Sequence, residues 1–181
     1  FALTWLLLVF FLTVVAGFGS TTVGVMFVAY GVWWLVLPPF TGRFADRVGV
    51  RTPMIIGAAL EVVGFAILAL GAGTQSALVI GIGLSAIGIG VSFVLPASNA
   101  ATMANVPADI RGDASGINMT VRILGSIIGL AVSTFLLDSV KVEDVTSSAQ
   151  TAWVIALILV LVALVVSAFG IRGVKEEPVL R

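Results

Sequence analysis

One acidic residue inside a long apolar run is the first candidate for chemistry in this sequence. Glu61 lies near the middle of the run 53–72. An acid at the centre of a bilayer costs about 2.5–3.5 kcal/mol, so such residues are functional candidates by default. A carboxyl group in that position could carry a proton and couple its movement to another process. The alternative is structural, with Glu61 paired to a neighbouring helix.

A polar stripe on a later apolar run is the second candidate. Asn118 and Arg122 stand four residues apart, so they share one face of a helix. Ser115 and Ser126 lie on the same face, which predicts that this face points into the protein. Arg122 could line or gate a cavity. It could equally be structural, bonded to backbone carbonyls or extended to the membrane surface.

Aromatic and amide side chains supply the remaining candidates. Tyr30 and Trp33 follow Met26 at i+4 and i+7 and so share a helix face, which suits a hydrophobic ligand. The alternative is that the tryptophans anchor the helix at the headgroups, and for Trp34 we favour this. Asn99, in the apolar run 77–104, offers an amide to a cavity or a neighbouring helix.

Proline and glycine residues define the expected packing of these helices. Pro96 removes a backbone hydrogen bond and predicts a kink in its helix. Nearby Ser92 and Ser98 offer hydroxyl groups to a cavity or a neighbour. Small residues let membrane helices approach closely. We expect such close packing at the glycines of the apolar runs 77–104 and 113–137, which are Gly81, Gly83, Gly88, Gly90, Gly125 and Gly129.

The composition places these residues in a membrane. The chain is 60% hydrophobic and 10% charged, with a mean hydropathy of +1.21, whereas soluble domains carry about 25% charged residues. Cysteine and histidine are absent, which excludes disulfides, thiol nucleophiles and the usual zinc sites. We expect no metal and no cofactor. With zero net charge and no basic cluster, we expect no nucleic-acid partner.

The apolar runs have the length of membrane helices. A bilayer core of about 30 Å takes roughly 20 residues per helix. The predicted spans are 1–14, 22–40, 53–72, 77–104, 113–137 and 150–170. We expect the first span to be truncated, since Phe1 already lies in an apolar run, and residues 171–181 to form a polar tail. The predicted fold is therefore all-α, with a bundle over residues 1–170.

The distribution of basic residues predicts the orientation of the bundle. Arginines occur in the predicted loops 42–52 and 105–112 and in the tail. The first two turns on the opposite face have no charge, and the connector 138–149 is acidic. Because basic residues favour cytoplasmic loops, we expect the arginine-bearing loops and the C-terminus to be cytoplasmic.

The segment 42–52, between the second and third predicted spans, contains a specific motif. Gly42 and Gly49 would permit a tight chain reversal, and Asp46 could pair with arginines or lie near helix N-termini. On this basis alone the segment could simply be a charged turn. The residues of the motif are Gly42, Arg43, Asp46, Arg47, Gly49 and Arg51.

This motif resembles the G-x-L-a-D-r-x-G-r-k-x loop signature of the major facilitator superfamily, which lies between the second and third spans of each half. It departs from the signature at Phe44, where leucine is usual, and at Val50, where a basic residue is usual. A second stretch is similar to the late spans of drug:proton antiporters of the fourteen-span branch. Its residues are Pro96, Asn99, Val106, Pro107, Arg111, Gly112, Ala114, Ser115, Gly116, Asn118, Arg122 and Gly125.

The resemblance implies the C-terminal six-helix half of an alternating-access carrier, working with an N-terminal half of the same polypeptide. In that fold, the first, second, fourth and fifth spans of a half line the cavity, and the third and sixth support them. It implies proton-coupled efflux of small hydrophobic or drug-like molecules across the plasma membrane. Alternatives are an uptake carrier for a nutrient or metabolite, or a non-transporting scaffold or receptor-like protein. An enzyme is the least expected.

Overall fold

The computed structural model describes residues 8–71, 74, 76–104, 106–138 and 145–170. Within these ranges the chain is helical and contains no strand, which confirms the all-α prediction. A π-helical turn precedes six α-helices, and a short 3-10 turn lies between the fourth and the fifth. In chain order the elements are the π-helical turn Phe11–Val15, α1 Ser20–Val36, α2 Pro38–Val48, α3 Arg51–Gly71, α4 Ala77–Ala104, the 3-10 turn Ala108–Ile110, α5 Arg111–Asp138 and α6 Val145–Gly170.

Most of these helices are long and apolar enough to cross a bilayer. By length and composition α3 and α4 qualify, as does the stretch Ala108–Val132 that includes most of α5. Helices α1 and α2 qualify together as one span bent by 46°, and α6 carries the shorter apolar stretch Trp153–Ala168. The predicted second to fifth spans are therefore present. The start of the first span, part of the acidic connector and the tail fall outside the described residues, at 1–7, 139–144 and 171–181.

The predicted charged loop 42–52 is wrong, because most of it is helical. Pro38, inside the predicted span 22–40, begins α2, at a position where the N–H that proline lacks would have no helical partner. Gly42 lies inside α2, and the reversal uses only Gly49, whose φ is 82°. Glycine reaches that left-handed region without steric cost, so the turn between α2 and α3 is very short.

Glycines on α3 and α4 let the two helices cross at backbone contact distance. Gly57 and Gly64 are two turns apart on α3 and face Gly90 and Gly83 on α4. A Cβ atom built at Gly90 would lie 2.6 Å from the carbonyl oxygen of Gly57, and one at Gly64 would lie 2.8 Å from that of Gly83. Neither position has room for a side chain. The predicted packing role of these α4 glycines is confirmed.

Other glycines differ in their surroundings. A Cβ atom at Gly88 would overlap the backbone of Tyr30 on α1, which confirms packing there as well. At Gly81 and Gly125 a Cβ atom would meet no atom within 4 Å. Within the described residues, the predicted packing role is therefore not seen at these two positions.

The core lies between α4, its neighbours α1 and α3, and α6. Leu68, Ile80 and Leu84 are almost completely buried there, and the ring of Phe11 packs edge-on against Trp153 at 5.2 Å. Helix α5 differs, since none of its described side chains is buried. The bundle therefore has a closed side built on α4 and an open side at α5.

Candidate functional site

A cavity of about 580 Å³ lies between α1, α3, α4 and α5. It brings together polar candidates from four separate helices, with apolar side chains of α4 between them. The residues that line it are Tyr30, Trp34, Glu61, Val91, Val94, Leu95, Ser98, Asn99, Asn118, Arg122, Gly125 and Ser126. Five of the six residues predicted from the sequence for a cavity or for coupling are in this set, so we call this space the central cavity.

Glu61 is the buried acid of the central cavity, with 7% of its surface exposed. It reaches this cavity although the resemblance assigns its helix to the periphery. Gly90 on α4 makes this possible, because a Cβ atom there would lie 2.7 Å from Cγ of Glu61. The side chain of Glu61 therefore packs directly against the backbone of α4 at Gly90 and extends from there to the central cavity.

Two amides and an arginine also line the central cavity. Nδ2 of Asn118 on α5 donates a hydrogen bond of 3.4 Å to Oδ1 of Asn99 on α4. Arg122 follows one turn later on α5, and the hydroxyl of Ser126 donates to the carbonyl oxygen of Arg122 at 3.0 Å. The predicted polar stripe on α5 therefore faces the central cavity at three of these positions.

The aromatic side chains on α1 are arranged differently from the prediction. Tyr30 lines the central cavity, but its aromatic neighbour there is Trp34, and Trp33 is not part of the lining. Met26 is buried in the core, at 3% exposure. The structure therefore does not place Trp33 in the central cavity. Trp34, for which we favoured anchoring at the headgroups, lies at i+4 from Tyr30 and so shares its helix face.

Ser92 and Ser98 on α4 have separated roles. Ser98 lines the central cavity. The hydroxyl of Ser92 instead lies within hydrogen-bond distance of the carbonyl oxygens of Trp33, at 2.9 Å, and of Gly88, at 2.8 Å, and its single proton is shared between them. Two turns closer to the N-terminus of α4, the hydroxyl of Ser85 donates to the carbonyl oxygen of Ala29 on α1 at 3.3 Å. Hydroxyl groups thus join α4 to the backbone of α1.

The motif residues lie at one end of the bundle, away from the central cavity. Arg43, Asp46 and Arg47 are exposed on α2. Arg51 at the start of α3 donates a hydrogen bond to the carbonyl oxygen of Ala168, near the end of α6. A guanidinium group at a helix C-terminus also meets the negative end of the helix dipole, so Arg51 ties α3 to α6.

The phenylalanine that departs from the signature has a packing role. The ring of Phe44 on α2 stands edge-on to Phe93 on α4, with 6.2 Å between the ring centroids. This edge-to-face geometry is one that aromatic pairs favour. The contact between Phe44 and Phe93 helps hold α2 against α4.

The lining of the central cavity is suited to reversible binding. It combines one buried acid, one arginine, an amide pair and two aromatic rings with aliphatic side chains of α4. Mostly apolar walls with a few placed polar groups are typical of small-molecule sites. The described residues contain no cluster of acidic side chains that could hold a metal ion.

Comparison with known proteins agrees with this architecture. The family described as Major Facilitator Superfamily matches residues 1–180. The multidrug resistance protein Stp of Mycobacterium tuberculosis is 34% identical over 122 residues, which is 67% of this chain and 22% of Stp. The lincomycin resistance protein LmrB of Listeria monocytogenes is 28% identical over an alignment of 188 positions, gaps included, which covers 95% of this chain and 40% of LmrB. The chain thus spans less than half the length of these relatives.

Proposed function

Since this chain belongs to the Major Facilitator Superfamily, we propose that it is part of a secondary carrier that exports small hydrophobic or drug-like molecules. The central cavity carries this proposal, because acidic, basic, amide and aromatic groups from four helices meet there. The resistance proteins among its relatives support export over uptake. On this proposal the chain is a multi-pass transport protein and has no enzymatic activity.

The proposed carrier works by alternating access, with residues 1–170 as the C-terminal bundle and residues 171–181 as its tail. An N-terminal half of the same polypeptide would complete the cavity. Two features support this assignment: the central cavity is open on one side, and the described side chains of α5 are unburied. In a bundle that rocks against a second bundle, those surfaces would face the partner half.

Protons are the proposed coupling ion, and Glu61 is the proposed carrier of the proton. It is the acid among the cavity-lining residues, and it is shielded from solvent. A carboxyl group there could release its proton when a substrate or the arginine on α5 approaches. Arg122, the basic residue in the lining of the same cavity, is the cation best placed to respond to that change of charge.

The proposed orientation has the arginine-bearing end of the bundle in the cytoplasm, in the plasma membrane of the cell. The hydrogen bond from Arg51 to Ala168 supports placing the start of α3 and the end of α6 at the same face. Arg43 and Arg47 belong to that face through α2. Basic residues concentrate on the cytoplasmic side, so the tail that follows α6 is proposed to be cytoplasmic.

Substrate efflux from proteoliposomes that contain the full-length protein tests these proposals. We expect an imposed pH gradient to drive a fluorescent hydrophobic dye against its concentration gradient. The Glu61→Gln variant should bind dye but lose the response to the gradient. Transport by the wild type that ignores the gradient would exclude proton coupling. Normal coupled transport in Glu61→Gln would exclude Glu61 as the coupling residue.

A further inference from the structure

A second cavity of about 290 Å³ lies between α3, α5 and α6. We call it the side pocket. Apart from Glu61, the side pocket is lined by apolar side chains and by glycine. The lining consists of Glu61, Phe65, Gly125, Ile128, Gly129, Val132, Ile155, Ala156, Leu159 and Val160.

The side pocket adjoins the central cavity at two residues. Glu61 and Gly125 line both spaces, so the boundary between them runs between α3 and α5. A Cβ atom at Gly125 would meet nothing within 4 Å. No side chain therefore projects from α5 where the two spaces adjoin, and we call this position, between Glu61 and Gly125, the window.

The two spaces differ sharply in chemistry. The central cavity offers Asn99, Asn118 and Arg122, whereas Glu61 is the one ionisable group of the side pocket. A polar group of a ligand would find no other charged or amide partner in the side pocket, and an unpaired polar group in an apolar environment costs several kcal/mol. An aliphatic chain would meet only compatible surfaces there.

We propose that the side pocket receives the aliphatic tail of a substrate whose polar head lies in the central cavity. This inference rests on the proposed export function and deepens it, because it identifies the substrates as amphiphiles with a slender apolar tail. The tail passes through the window between Glu61 and Gly125. The bilayer supplies such molecules already dissolved in its hydrocarbon region.

The energetics of this site predict selection by tail length. Lipid tails are as apolar as the pocket walls, so a tail gains little from the hydrophobic effect when it moves from the bilayer into the protein. The remaining contribution to binding is van der Waals packing. Packing improves as a longer tail fills the side pocket, and it becomes unfavourable once the tail is longer than the pocket. Transport should therefore pass through an optimum as the tail lengthens.

Proteoliposomes with the full-length carrier and a series of n-alkyltrimethylammonium ions, from butyl to dodecyl, test this proposal. The head group is constant, so differences along the series report on the tail. Gly125→Leu places a side chain in the window, and Gly125→Ala is its matched control because one methyl group leaves most of the window open. Ala156→Phe fills the pocket from α6, and Val162→Phe is its control on the 55% exposed surface of that helix.

We expect the wild type to show an optimal tail length, and Gly125→Leu to shorten that optimum by roughly two to four carbons, the size of the added side chain. Ala156→Phe should shorten it as well, whereas Gly125→Ala and Val162→Phe should retain the wild-type optimum. A Cβ atom at Gly125 would meet no atom within 4 Å, so the Tm of Gly125→Leu in detergent should match that of Gly125→Ala, which separates loss of the tail site from misfolding.

Two results would overturn the inference while leaving the export function intact. One is transport of the whole series at similar rates, and the other is an optimum that does not change in Gly125→Leu. Either would mean that the side pocket holds a bilayer lipid tail only. Failure of the wild type to transport any member, together with failure to transport a hydrophobic dye, would count against the export function itself.

Discussion

The hydroxyl of Thr41 on α2 donates a hydrogen bond of 2.7 Å to the backbone carbonyl oxygen of Ser92 on α4. Ser92 lies four residues before Pro96, which has no N–H to offer that carbonyl. Thr41 and Ser92 are 2% and 0% exposed, so water does not replace the missing donor. The side chain of a neighbouring helix therefore satisfies the group that the proline leaves open, and α4 continues through Pro96 as one helix.

Replacing Thr41 with valine should destabilise the protein by roughly 0.6–2 kcal/mol, the range for an interhelical hydrogen bond in a membrane or an unsatisfied buried carbonyl. Thermal unfolding of the full-length protein in detergent measures this as a lower Tm. The matched control is Thr102→Val, because the hydroxyl of Thr102 donates only to Ser98 in its own helix. Equal Tm values for the two variants would show that Thr41 is not needed to satisfy Ser92.

The same pair of helices shows what the sequence could not predict. Hydropathy located the spans, since about 20 apolar residues are needed whatever their partners. It could not show that Pro38 begins a helix rather than ending one, because the charges at Arg43, Asp46 and Arg47 are equally compatible with a loop and with a helix exposed on that face. Nor could it show that, after the bend of 46° between α1 and α2, Thr41 would hydrogen-bond to Ser92 on α4.

The candidate residues illustrate the same limit. Glu61, Asn118 and Arg122 could be predicted because polar groups within apolar runs are expensive and therefore rarely incidental. The sequence could not predict which of Trp33 and Trp34 faces the central cavity, because residues at i+3 and i+4 are both near neighbours of Tyr30 on a helix. The resemblance assigns α3 to the periphery, and only the packed structure reveals that Glu61 reaches the cavity from α3 by close contact with Gly90.

A single methyl group at Gly90 should disturb the crossing of α3 and α4. Its Cβ atom would lie 2.6 Å from the carbonyl oxygen of Gly57 and 2.7 Å from Cγ of Glu61. We expect Gly90→Ala to cost about 1–3 kcal/mol, measured as a lower Tm, and to weaken the response of dye efflux to the pH gradient. The second effect follows if the acid is displaced from the cavity.

Gly81→Ala is the control for this prediction, because it makes the same change in the same helix at a position with nothing within 4 Å. Alanine favours helix over glycine by up to about 1 kcal/mol, so Gly81→Ala should be neutral or slightly stabilising. A Gly90→Ala variant as stable as Gly81→Ala would contradict the close crossing of α3 and α4.

The hydrogen bond from Arg51 to Ala168 should contribute modestly to stability. Arg51 is exposed, and a cation at an exposed helix C-terminus contributes about 0.3–1 kcal/mol. We expect Arg51→Ala to lower Tm slightly and to speed hydrogen exchange in the last turns of α6. Arg43→Ala changes an exposed arginine on α2 and is the control. If both variants exchange alike in α6, the contact does not hold that helix end.

Trp34 and Trp33 offer a comparison of two adjacent residues of the same type. Trp34 lines the central cavity beside Tyr30, whereas Trp33 lies outside it and its carbonyl oxygen accepts a hydrogen bond from Ser92. Aromatic contacts contribute about 0.5–1.5 kcal/mol beyond buried area. We therefore expect Trp34→Leu to raise KM for efflux of an aromatic dye roughly 2- to 10-fold, with little change in Tm.

Trp33→Leu should show the opposite pattern. The backbone carbonyl of residue 33 still accepts the hydrogen bond from Ser92. Leucine is smaller than tryptophan, so packing is lost outside the central cavity. Tm should therefore fall, while KM changes little. Measuring both variants in the same proteoliposome assay separates binding from packing, because each serves as the control of the other. If Trp33→Leu raised KM as much as Trp34→Leu, the cavity wall on α1 would follow the i, i+7 stripe from Met26 to Trp33, and the orientation of α1 described above would be wrong.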